Sequence, residues 1–94
     1  MLLIRSVKIA STSEAEQLPM GRLKTGYVRI STCGNTGDIY IADSETTALA
    51  GNNRFTIGEG KLTPLRLPVG FELSDLWVAA ATSNDVLGLI AELA

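Results

Sequence analysis

The chain predicts an all-β fold, an antiparallel β-sandwich of about seven strands or a small jelly-roll or Greek-key barrel, on three observations. Apolar residues recur with a period of two rather than 3.6. Clusters of Gly, Asn, Asp and Ser break the chain at intervals of roughly ten residues, the spacing of short strands joined by turns. No segment of ordinary helix length carries an amphipathic stripe. The clearest strands lie within the runs Gly37 to Ala42 and Leu73 to Ala80, each launched from a polar turn.

The first strand is expected from Leu2 to Ala10, with Val7 and Ile9 on one face and Lys8 on the other. The stretch Ser11 to Gln17 lacks apolar spacing and reads as an exposed loop; Ser13 and Glu16 stand three apart, as in a capping box, which would suit one helical turn. A second strand, Leu23 to Thr32, places Val28 and Ile30 inward and Tyr27, Arg29 and Ser31 outward. The turn from Cys33 to Gly37 supplies glycines for positive φ. It predicts a hairpin with a third strand, Asp38 to Ala42, whose Ile39 and Ile41 face in and Tyr40 out.

A second polar loop, Asp43 to Asn53, leads to a short fourth strand in which Phe55 and Ile57 share a side. The fifth strand, Leu62 to Leu67, contains Pro64, which cannot donate to a ladder and so belongs at an edge or a bulge. A single 3₁₀ turn is expected within Leu73 to Leu76. A sixth strand, Trp77 to Ala81, turns through Thr82 to Asp85 into a seventh, Val86 to Ala91. Leu87, Leu89 and Ala91 alternate there with Val86, Gly88 and Ile90, so both faces are apolar. Such a strand is central, or turns one face to another subunit, which makes Leu87 and Leu89 interface candidates.

At 94 residues the chain is a single domain, residues 1–94, near the lower size limit for a self-sufficient core. A mean hydropathy of +0.23 is high for so small a domain and favours a homo-oligomer that hides apolar surface between subunits. Its net charge of −2, with eight cations spread singly, leaves no basic stretch to neutralise neighbouring phosphates; no nucleic acid partner is expected. The lone Cys33 excludes an intrachain disulfide and suits a reducing compartment. The start meets Arg5 after four residues, unlike a signal peptide, and the longest apolar run is far short of a membrane span.

Residues that carry chemistry are few. With no histidine and one cysteine, neither an activated thiolate nor a four-ligand zinc site can be assembled. Cys33 reads instead as a small buried or half-buried residue at a strand end. Asp38, Asp43 and Glu45 lack the dense spacing of a calcium loop and serve better as turn caps. The acids Glu14, Glu16, Glu59, Glu72 and Asp75 show no pairing across a cleft of the kind a glycosidase needs. No catalytic, cofactor or metal residues are assigned, and an enzyme is not expected. Tyr40 remains as an aromatic anchor for an interface or for sugar stacking; Trp77 is a further candidate for either role, but a core position is the stronger reading for it.

The order of these pieces resembles a group of small all-β virion proteins of tailed bacteriophages, of the capsid decoration or cement kind. The resemblance lies in Tyr27 to Thr32, Gly37 to Ala42, Leu62 to Leu67, Leu73 to Ala80 and the final apolar strand, covering Tyr27 to Ala91. It implies a structural protein located in the virion and assembled in the host cytoplasm. The implied partners are the major capsid protein and further copies of the chain, a trimer among the usual states. It carries no catalytic residues and no cofactor. The extended terminal arm of many capsid-binding modules is not evident, since strands begin at Leu2 and end near Ala94. A carbohydrate-binding sandwich and a ring component of the tail or connector are the alternative readings.

Overall fold

The computed structural model describes residues 1–94. Eight strands form: β1 (Leu2–Ile9), β2 (Glu16–Gln17), β3 (Leu23–Ser31), β4 (Ile39–Ala42), β5 (Phe55–Ile57), β6 (Leu62–Arg66), β7 (Trp77–Ala80) and β8 (Asp85–Leu93). One helix, α1 (Glu45–Ala50), and a 3₁₀ turn (Leu73–Asp75) complete the chain. The strands build two four-stranded antiparallel sheets, ordered β1-β8-β3-β6 and β2-β7-β4-β5.

This order has a simple logic. Each strand of the first half pairs with its mirror image in the second: β1 with β8, β2 with β7, β3 with β6, β4 with β5. One long hairpin, with α1 at its tip, has been rolled so that successive pairs fall in alternate sheets. That arrangement is a jelly roll, and the expected all-β sandwich is therefore the observed one, with eight strands rather than seven.

The expected hairpin between Leu23–Thr32 and Asp38–Ala42 does not form, because β3 and β4 lie in different sheets. The glycine turn is used instead to cross the sandwich. Four crossings meet at one end, β1–β2, β3–β4, β5–β6 and β7–β8, and buried polar groups tie the last three together. Thr32, fully buried, donates its hydroxyl to the Gly58 carbonyl at 2.6 Å and accepts from the Lys61 amide at 3.0 Å. The buried Asp85 carboxylate accepts from the Thr36 and Gly37 amides at 3.2 and 3.0 Å. Asn35 Oδ1 accepts from the Val86 amide. Turn donors that would be orphaned inside a crossing are thus paired, as burial demands.

The core between the sheets is made by alternate residues of both. Leu3, Ile9, Val28, Ile30, Leu87, Leu89 and Ala91 come from one sheet, and Ile39, Ile41, Ile57, Val78 and Ala80 from the other. Gly26, at φ +74, sits where the β3–β8 register shifts; its carbonyl accepts from Leu67, and a Cβ there would collide with the Leu67 carbonyl oxygen. Only glycine fits that bulge.

The loop expected over Asp43–Asn53 contains α1. Ser44 caps it, accepting from the Thr47 amide at 3.2 Å, and Ala48 is fully buried beneath it. The helix lies on the outward face of the second sheet, where Ala15, Ala42, Ala48 and Ala79 form a small separate cluster. In the Ser11–Gln17 stretch the expected helical turn is replaced by β2, which pairs with β7 through Glu16↔Val78 and Gln17↔Trp77.

Candidate interaction surface

The structure places Tyr40 and Trp77 on the same outward face of the second sheet, in the rows Tyr40↔Ala79 and Ala42↔Trp77. Both are half-buried against the alanine cluster. Trp77 thus lies outside the main core yet is no free platform. Tyr40 is also capped: the Arg54 guanidinium stacks 3.6 Å from its ring centroid while donating to the Ala48 and Leu49 carbonyls at the end of α1. The cation holds the helix down and covers the ring face that a sugar would use.

Leu87 and Leu89 are not available to a partner. Their side chains are 0% and 2% exposed and pack in the core. The reason is the position of β8, hydrogen-bonded on both sides by β1 and β3, with its odd-numbered residues turned to the opposite sheet. Of the two apolar faces legible in Val86–Ala91, the one that reaches solvent carries Gly88 and Ile90. Cys33 is exposed rather than buried, and its thiol donates a long hydrogen bond to the Lys61 carbonyl at 3.9 Å.

That outward face of the first sheet is the most distinctive surface of the molecule. Cross-strand rows run Ile4–Ile90–Arg29–Pro64 and Ser6–Gly88–Ser31–Leu62. The small side chains of the second row leave a depression of about 320 Å³, walled by Ile4, Ile90 and Leu62 and flanked by Arg5 and Arg29. Leu2, Ile4, Leu62 and Ile90 are 44–68% exposed. Single exposed apolar residues are ordinary, but three around one depression, with Leu2 further along the same face, make a patch. No helix or loop covers it, whereas α1 covers the corresponding face of the other sheet. Its signal was already in the sequence: the alternation that sends Val7 and Ile9 inward sends Leu2 and Ile4 outward.

A second depression, of about 420 Å³, opens between the sheets beside β5 and β6. Ile41, Phe55, Leu65, Leu67 and Leu76 line it, with Asp43, Thr47 and Asn53 at the rim. It exists because β5 is only three residues long and covers little of the sandwich mouth. No group of three His, Cys, Asp or Glu side chains comes together anywhere in a way that could hold a metal ion. No helix is long and apolar enough to cross a membrane.

No protein-family model, no curated protein and no solved structure matches this chain.

Proposed function

We propose that this chain is a structural protein of a tailed-bacteriophage virion, a non-enzymatic decoration or cement module that docks on the major capsid protein and joins neighbouring subunits. The observation that carries the reading is the uncovered face of the β1-β8-β3-β6 sheet, with its apolar depression beside Arg29. A face of that kind is suited to burial against protein. Jelly rolls serve as capsid and lectin domains among other roles, so the fold agrees with the reading without selecting it. The motif order from Tyr27 to Ala91 adds the resemblance to virion proteins. The sugar-binding alternative loses its main support, since Arg54 lies on the Tyr40 ring.

Antibody labelling of purified particles of a phage that encodes this chain, viewed by electron microscopy, tests the proposal. Label over the head is expected. Label confined to the tail would replace it with the tail or connector ring, and unlabelled particles would remove the virion role.

A further inference from the structure

The charges of this molecule are sorted by layer, although its net charge is small. The strands of the first sheet contain Arg5, Lys8, Lys24, Arg29 and Arg66. Their only acids are Asp85, buried and engaged with turn amides, and Glu92, which pairs with Lys24 at 3.7 Å. The strands of the second sheet and its covering helix contain no lysine or arginine. Arg54, the nearest cation in sequence, is consumed by Tyr40 and the helix carbonyls. Exposed acids gather on that side instead: Asp43 and Glu45 at the start of α1, and Glu14 just before β2. One layer is therefore cationic around an apolar depression, and the other is acidic.

We infer that copies of this chain associate head to tail, the depression face of the first sheet on one copy seating against the acidic, helix-bearing side of the next. The inference rests on the proposed structural role and deepens it: the uncovered face joins copy to copy, and the capsid meets the face left free at the end of such an assembly. Face-to-face pairing of two first sheets would set Arg29 and Lys8 of one copy against those of the other, and like charges so juxtaposed disfavour a twofold contact. Stacking unlike layers pairs cations with acids and buries Ile4, Ile90 and Leu62 in the same step. A molecule of 32 × 25 × 18 Å offers on a broad face about the area, roughly 800 Å² per partner, that a specific interface uses. Such a contact is heterologous, so it leaves a free cationic face at one end and a free acidic face at the other. It propagates until it closes into a ring or continues as a stack.

Sedimentation and native mass spectrometry of the purified protein across a concentration series, at low and high salt, test this. Species beyond the dimer are expected at low salt, dispersing at high salt as screening shortens the range of the charges. Arg29→Glu and Glu45→Lys should each give monomers alone. Mixing the two, or combining both changes in one chain, should restore assembly, because the paired signs are restored. Fluorescence of Trp77, which lies half-buried against the cluster beneath α1, shows that each variant is folded. A wild-type protein that stays monomeric at every concentration overturns the inference. So does an assembly that stops at a dimer and ignores Glu45→Lys, since that would be a twofold contact. Labelled virions with a monomeric protein would sink the head-to-tail contact and leave the virion role standing; assembly in solution with unlabelled virions would do the reverse.

Discussion

Replacing Thr32 by Val tests whether hydrogen bonding or apolar filling governs the end of the sandwich where the chain crosses between sheets. The substitution is nearly isosteric and places a methyl where the hydroxyl stood. On a purely hydrophobic view it should be neutral or stabilising at a site that is fully buried. The structure gives the opposite sign. The hydroxyl serves two peptide groups at once, the Gly58 carbonyl at 2.6 Å and the Lys61 amide at 3.0 Å, and both lose their partner in the valine protein. An unsatisfied buried group costs about 1–3 kcal/mol. Lys61 is exposed and Gly58 only half-buried, so solvent relieves part of that cost and the lower end applies to each. The expected loss is about 2 kcal/mol, or a fall in Tm of about 8–16 °C for a domain of this size. Thr32→Ser keeps the hydroxyl and loses one methyl, at a cost of about 1 kcal/mol. Urea denaturation followed by Trp77 fluorescence, with thermal unfolding by circular dichroism, should rank wild type above serine above valine, with unchanged m. A valine protein as stable as wild type would refute the claim that this hydroxyl ties the crossings together.

Two further substitutions test the placement of faces. Leu87→Ala should cost about 3 kcal/mol by opening a cavity in the core, whereas Ile90→Ser, three residues on and turned outward, should cost less than about 1 kcal/mol; equal losses in urea titrations would mean that β8 is oriented otherwise. Arg54→Ala removes the guanidinium from Tyr40 and from two helix carbonyls. It should lower stability by about 2 kcal/mol and speed amide exchange selectively in Glu45–Ala50, which hydrogen-exchange mass spectrometry would resolve.

Much of the fold was legible because the two sheets impose strict alternation. Val28 and Ile30 in β3, Ile39 and Ile41 in β4, and the short 3₁₀ turn at Leu73–Asp75 stand where their patterns put them. Pro64 marks β6 as an edge, and it is one. The failures share a cause: each concerns a feature held by distant residues. The turn at Cys33–Gly37 has hairpin chemistry, but Thr32 and Asp85 direct it across the sandwich through partners 26 to 49 positions away. The helix has a visible cap in Ser44 and a visible stop in Gly51. At six residues, however, it is too short to stand without the alanine cluster and Arg54. At the candidate surface, the double apolarity of Val86–Ala91 marked the correct strand, and only the sheet order decides which of its faces meets solvent. Leu87 and Leu89 were the inward set, and Ile90 belongs to the outward one.

The mirror-image pairing of strands has a consequence for how this protein comes to be folded. β1 hydrogen-bonds only to β8 within its sheet, in an eight-residue register that begins at Leu2↔Glu92, and the Met1 amine donates to the Leu93 carbonyl at 2.9 Å. On a ribosome the first strand emerges with no partner and must wait until the last strand of the domain has left the exit tunnel. Only the β4–β5 hairpin around α1 can close early, so folding is expected to start at the middle of the sequence and to finish with both ends together. Until then Leu2, Leu3 and Ile4 present an unpaired, apolar edge to every other nascent chain. The step most exposed to misassembly is thus the closing of the outermost pair, late in folding and dependent on the whole domain being present.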